Sequence, residues 1–193
     1  RAAAPRRAAP ALPPELASSL PVAAVLVPLF ESDGEVRVIL TRRSSSLRSH
    51  TGEVSFPGGR VETGELPVAA ALREAHEEVG IDPSAVEILG PLAPLSTLST
   101  GDAVLPFVGA LAGRPAIRPS PHEVELAFDV ALADLAADGA YREERWAVSG
   151  LGERSVHFFD LPEDTVWGAT ARILHELLSL VVAAPLPDLR RNG

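Results

Sequence analysis

Three glutamates, Glu74, Glu77 and Glu78, are the residues whose spacing first suggests chemistry. At i, i+3 and i+4 on a helix, three carboxylates share one face and lie within side-chain reach of one another. Like charges so placed repel by roughly 0.2–0.5 kcal/mol per pair on an exposed helix. A counter-charge is therefore expected. A hard divalent cation would supply it, because such ions take carboxylate oxygens; a solvated acidic face is the plainer alternative.

The surrounding stretch is written to hold those carboxylates on a helix over 67–79. Pro67 suits the first turn, where its missing N–H costs nothing. Gly80 suits a left-handed cap. Val68, Leu72, Ala75 and Val79 form the apolar stripe of the opposite face. A glycine turn, Gly58-Gly59, precedes the helix.

The order Gly59, five residues, Glu65, seven residues, then Arg73-Glu74-Ala75-His76-Glu77-Glu78-Val79-Gly80-Ile81 resembles the signature of the Nudix hydrolases, G-x5-E-x7-R-E-U-x-E-E-x-G-U, with U a bulky aliphatic residue. Ala75 is the one departure. It lies on the expected buried face and so bears on packing rather than chemistry. The resemblance implies hydrolysis of a diphosphate linked to another group, with Mg²⁺ or Mn²⁺. It implies Glu74 and Glu78 as main metal ligands, with Glu77 contributing and the Gly59 carbonyl as a further ligand. It implies a supporting pair, Arg73 and Glu65, holding the loop against the helix. The general base stays open among Glu78, Glu123 and Glu125, the last one strand period from Glu123. His122 and His50 are ordinary surface histidines or substrate contacts before they are bases.

Immediately upstream, Leu40-Thr41, Arg43-Ser44, Arg48, Gly52 and Phe56-Pro57-Gly58-Gly59 resemble the motif that marks the coenzyme A diphosphatase branch of that family, with Ile39 where Leu is common. A weaker likeness reaches Glu123 and Trp167-Gly168-Ala169-Thr170. The resemblance implies cleavage of coenzyme A or its thioesters to 3′,5′-ADP and 4′-phosphopantetheine or its acyl form. Arg43 and Arg48 offer forked donors suited to phosphate, and His50, Gly58 and Gly59 complete the substrate set. Arg42 points to the other face if strand alternation continues. An apolar cleft near Leu95 to Leu98 would suit the pantetheine arm. The alternatives are a Nudix hydrolase of another nucleoside diphosphate derivative (ADP-ribose, NADH or a nucleoside triphosphate) and, from another class, a non-catalytic nucleotide-binding module. The intact glutamates speak against the module.

The whole chain agrees with a small-molecule nucleotide as partner. Its formal net charge of −9 argues against a nucleic-acid binder. All seventeen basic Lys/Arg-type residues are Arg. With no cysteine there are neither disulfides nor thiolate metal sites, which fits a cytoplasmic setting. No apolar run approaches the ~20 residues that a membrane helix needs, and no apolar run follows the basic start as in a secretory leader. A monomer or homodimer is expected.

At 193 residues, one domain over 15–184 is expected between tails at 1–14 and 185–193. Strands are read at 22–30 and 36–41 around a Ser32-Asp33-Gly34 turn, at 53–56, 86–92 and 104–111, with Pro106 marking an edge or bulge, and at 123–130. A hairpin of 141–148 with 155–159 follows. Short helices are read at 15–20 and 131–137, and a longer one over 166–182, on a stripe of Trp167, Ala171, Leu174, Leu178 and Val181. The fold class expected is α+β, a mixed-sheet sandwich flanked by helices, with the signature as loop–helix–loop.

Overall fold

The structure, a computed structural model, describes residues 22–44, 52–97, 102–148 and 152–183. The expected helix at 15–20, both tails, and Arg48, His50 and Leu98 lie outside them. In chain order the strands are β1 (Val22–Ser32), β2 (Glu35–Arg43), β3 (Val54–Ser55), β4 (Gly58–Arg60), β5 (Glu87–Pro91), β6 (Leu95–Ser96), β7 (Ala103–Ala110), β8 (Val124–Ala131), β9 (Tyr141–Val148), β10 (Gly152–Asp160) and β11 (Thr165–Trp167). The helices are α1 (Pro67–Val79), α2 (Leu132–Leu135) and α3 (Gly168–Ala183). Among the described residues no helix is long and apolar enough to cross a membrane.

β1 organises the larger, mixed sheet. It turns into β2 through Asp33 and Gly34, at φ 55° and 80°, the twist that joins antiparallel strands in two residues. On one edge β1 pairs with β2 and, nearer its start, with β4, both antiparallel. On the other it pairs in parallel with β7. β8 and β3 extend the sheet from β2, and β5 and β6 from β7. A second sheet has the order β11-β10-β9. This is the expected α+β architecture.

Alternation along β1 separates two cores. Ala24, Leu26 and Phe30 face α1, where Ala70, Ala71, Ala75 and Val79 are fully buried. The three alanines let the helix axis approach the sheet closely. Ala75, the departure from the signature, is part of this contact. Val27, with Ala23, Val25 and Leu29 at its margin, faces the opposite way, toward the second core that Phe159, Ile173 and Leu174 complete from β10 and α3. α1 itself begins with Pro67 and ends at Gly80 in the left-handed conformation (φ 73°), as its sequence predicts.

Two expectations are corrected. Pro106 does not put its strand at an edge, since β7 lies inside the sheet between β1 and β5. β5 accompanies β7 only as far as Phe107, and β6 takes over at Val104. The Pro106 carbonyl accepts from Leu92 N–H at 3.0 Å in that gap. N–H and C=O of one strand residue point the same way, so the missing donor falls where the ladder is already broken. Second, residues 165–167 form β11, paired to Phe158–Asp160, and not the first turn of a helix. Val166 is buried by strand alternation, and Trp167 points outward, 40% exposed. Gly168, at φ 65°, turns the chain into α3.

Candidate active site

β4 lies against both β1 and α1, and its two glycines make that possible. A Cβ on Gly58 would fall 2.4 Å from the Ala24 carbonyl oxygen and 2.6 Å from Val25 Cα. A Cβ on Gly59 would fall 2.4–2.7 Å from the carboxylate atoms of Glu74. Gly58 thus makes room for the strand, and Gly59 for a glutamate of the helix.

Glu78 projects from α1 toward this glycine turn and is only 6% exposed. Its Oε2 accepts the Gly58 N–H at 3.0 Å. Burial pushes the carboxyl up to about 7, with the charges of Glu74 and Glu123 adding to the rise; the Gly58 N–H and the Arg43 guanidinium oppose it. Glu74 is also raised, first by burial. Glu77, the residue before Glu78 on the helix, keeps a side chain that is 53% exposed.

Arg73 supplies the counter-charge that the glutamate spacing calls for. Its Nε and Nη2 grip the two oxygens of Glu65 at 2.9 and 3.1 Å, and Nη2 also donates to the Arg60 carbonyl at 3.2 Å. Its Nη1 donates to Glu74 at 2.9 Å and to Glu77 at 3.3 Å. Arg73 therefore ties the turn before the helix to two glutamates on it, and its guanidinium holds the Glu65 carboxyl below the usual range.

The Arg43 side comes from an irregularity between β2 and β8. Arg42 stands opposite Leu126 and Arg43 opposite Val124, which leaves Glu125 as the extra residue of a bulge. A bulge re-aims side chains, and here it separates two neighbouring pairs. Arg42 forks onto Asp164 at 3.0 and 2.6 Å, with Glu125 at 3.6 Å. Arg43 turns toward Glu78, Nη1 to Oε1 being 3.9 Å, and its buried Nε has no hydrogen-bond partner. The expected likeness of Glu123 and Glu125 fails for this reason: Glu125 joins Arg42, whereas the charge of Glu123 is felt at Glu74 and Glu78.

Glu123 is held by its backbone while its side chain is exposed. Its carbonyl accepts Ser44 N–H at 2.9 Å, and its N–H donates to Ser120 at 3.0 Å. The loop before it is fastened to the end of α1, with Arg118 N–H on the Val79 carbonyl and Ser120 N–H on that of Glu78. These main-chain contacts fix Glu123 relative to the helix and leave no mark in residue types. His122 is exposed beside it. Leu95 is buried in the second core, and the rest of the segment expected to line a pantetheine groove, toward Leu98, lies outside the described residues.

Glu65, Arg73, Glu74, Glu77, Glu78, Gly58, Gly59, Arg43 and Glu123 are thus gathered at one place. Among the described residues no three carboxylate or imidazole side chains converge tightly enough to hold an ion as they stand. The donor set nonetheless fits a hard divalent cation. Its oxygens are carboxylates, the choice of Mg²⁺, and its innermost member, Glu78, is buried with only a long contact to a cation.

The NUDIX domain family model matches residues 20–148. The chain belongs to the Nudix family. Nudix hydrolase 22, chloroplastic, of Arabidopsis thaliana is 42% identical over 172 residues, covering 84% of this chain and 56% of the relative. Nudix hydrolase 15, mitochondrial, of the same plant is 40% identical, and the chain spans 59% of its length. The Nudix hydrolase NudL of Photorhabdus laumondii is 38% identical over 173 residues, covering 89% of this chain and 91% of the relative. Among solved structures, the Nudix hydrolase RenU of M. smegmatis superposes with TM-score 0.60 at 19% identity, over 85% of this chain and 87% of that one, and shares the fold. The C. elegans Ap4A hydrolase binary complex gives 0.51 at 25% identity, over 57% of this chain and 80% of that one.

Proposed function

We propose that this Nudix chain is a Mg²⁺- or Mn²⁺-dependent diphosphohydrolase whose substrate is coenzyme A or a coenzyme A thioester. The observation that carries the reading is Arg43, an arginine with an unpartnered buried Nε, aimed by a bulge into a cluster of glutamates. A site that combines crowded carboxylates with an under-used guanidinium suits a metal–diphosphate pair, since the carboxylates favour the cation and the guanidinium favours phosphate oxygens. Arg43 also belongs to the upstream motif that resembles the coenzyme A diphosphatase branch.

In this reading Glu74 and Glu78, with Glu77, hold the cation. Bound there, it supplies neutralisation of the diphosphate oxygens and alignment of attack with departure. Arg43 takes a diphosphate oxygen. Glu123, exposed and fixed by its main chain, takes the proton of the attacking water as one bridging P–O bond breaks, giving two phosphate monoesters: 3′,5′-ADP and 4′-phosphopantetheine or its acyl form. Arg73 and Glu65 keep the glycine turn seated on the helix. Arg48 and His50 belong to the substrate set by their place in the motif.

The test is incubation with Mg²⁺ and a panel of coenzyme A, dephospho-coenzyme A, ADP-ribose, NADH and a nucleoside triphosphate, with products resolved by chromatography. Release of 3′,5′-ADP with little turnover elsewhere supports the proposal. Preference for ADP-ribose or NADH replaces the substrate and keeps the chemistry. Binding without turnover under either metal makes the chain a binding module. Arg48→Ala should weaken coenzyme A more than dephospho-coenzyme A if Arg48 reads the 3′-phosphate; equal losses overturn that role.

A further inference from the structure

Arg43 stands in an unusual relation to Glu78. The two groups are 3.9 Å apart, close enough to attract yet too far to share a hydrogen bond. The Arg43 backbone is fixed: its N–H donates to the Glu53 carbonyl at 3.0 Å, and its own carbonyl accepts from Gly52 at 3.3 Å. The side chain is partly exposed at the tip but has its Nε buried without a partner. Glu78, in contrast, is held by the Gly58 N–H. One member of the pair is anchored, and the other has a fixed base with a spare donor. Arg73, the other arginine gathered there among the described residues, is committed to Glu65, Glu74 and Glu77, so it cannot exchange partners without releasing the glycine turn.

From this geometry we infer that Arg43 is an exchangeable counter-ion. With the cation absent it stands in at Glu78; with the cation present it is displaced to the diphosphate of the substrate, so that metal and diphosphate binding are coupled through one guanidinium. The inference rests on the assignment of Glu78 as a metal ligand and adds to it an order of events. A cation arriving at Glu78 must compete with Arg43, and this competition weakens metal binding to the free protein. A diphosphate that engages Arg43 removes the competitor, and by linkage the cation strengthens diphosphate binding by the same factor. The coupling does not depend on what lies beyond the diphosphate, so it is separable from the choice of coenzyme A as substrate.

The experiment measures Mn²⁺ binding calorimetrically to metal-free wild-type protein, Arg43→Gln and Arg43→Lys, and binding of α,β-methylene-ADP to each with and without saturating Mn²⁺. Thermal melts check that each variant is folded, and Arg43→Lys keeps the charge should the Gln variant fail to fold. Removing a partly exposed charge pair of ~1 kcal/mol should let Arg43→Gln bind Mn²⁺ about fivefold more tightly than wild type. Arg43→Lys should stay within about twofold of wild type, since the competing charge remains. The gain in α,β-methylene-ADP affinity on adding Mn²⁺ should shrink about fivefold in Arg43→Gln. Equal or weaker Mn²⁺ binding by Arg43→Gln overturns the inference, and so does an undiminished Mn²⁺ effect on the nucleotide. If the couplings appear but coenzyme A is not cleaved, the exchange stands and the substrate assignment falls. If wild type takes up no Mn²⁺, both fall.

Discussion

The Gly58 N–H donates to Glu78 Oε2 at 3.0 Å, joining the main chain of β4 to the most buried acid of α1. The bond exists because a glycine without Cβ allows β4 to lie against Ala24 and Val25, and because α1 approaches the sheet on alanines. It orients a carboxylate whose other oxygen faces Arg43. Backbone shape thus sets both the position and the acidity of the residue on which the proposed chemistry turns.

Glu78→Gln keeps an oxygen for the Gly58 N–H and removes the charge. If Glu78 holds the cation, turnover should fall on the order of 10²-fold or more while the melting temperature stays near or above that of wild type. Steady-state kinetics with a matched circular-dichroism melt decides this. Activity within about twofold of wild type would remove Glu78 from the site.

A second consequence concerns stability in a chelator. The Glu78 carboxyl lies near 7 in the folded protein, against an ordinary 4.5. Between those values the unfolded chain has given up this proton and the folded chain still holds it. The unfolded state binds fewer protons, so stability falls as pH rises through the window, by roughly 3 kcal/mol at most. The metal-free wild type should therefore lose melting temperature from about pH 5 to pH 7.5 more steeply than Glu78→Gln. Glu74 shifts in the same direction, which is why the comparison uses the difference between the two proteins. Parallel slopes would contradict the rise that burial imposes on Glu78.

The adjacent glycines should respond differently to alanine. At Gly58 the new Cβ meets main-chain atoms of Ala24 and Val25, which cannot step aside, and destabilisation of ~1–3 kcal/mol is expected. At Gly59 it meets the carboxylate of Glu74, the movable end of a side chain. Gly59→Ala should melt close to wild type yet lose activity and Mn²⁺ affinity, because Glu74 is pushed off its place. Chemical denaturation of both variants, alongside metal titration, separates these outcomes; equal destabilisation would refute the distinction.

The glutamate helix was legible because everything that defines it is local: Pro67, Gly80, the apolar stripe and the spacing of Glu74, Glu77 and Glu78. The β1–β2 hairpin was legible through Asp33-Gly34 for the same reason. What escaped depended on partners far along the chain. Pro106 reads as an edge residue until the change from β5 to β6 is known. Trp167 fits a helical stripe until β10 claims it. Glu123 and Glu125 look equivalent until the register shift opposite Arg42 and Arg43 divides them. The sequence also called for a counter-charge and named a cation; Arg73 supplies one already, a role that its pairing with Glu65 alone does not reveal.

That register shift makes its own prediction for two consecutive arginines. Arg42 holds Asp164 in a two-bond fork, joining β2 to the turn before β11. Arg42→Ala leaves a largely buried carboxylate without its cation and should cost ~1–3 kcal/mol of stability, with kcat/KM within about twofold of wild type. Arg43→Ala breaks no hydrogen bond at Nε, since none is present, and should change stability little. It removes the donor proposed for the diphosphate, worth about 1.5–3 kcal/mol when charge-assisted, so kcat/KM should fall roughly 10- to 150-fold. Urea denaturation and steady-state kinetics on the two variants make a crossed comparison. If Arg42→Ala is the variant that loses activity, or Arg43→Ala the one that loses stability, the bulge does not divide structure from function.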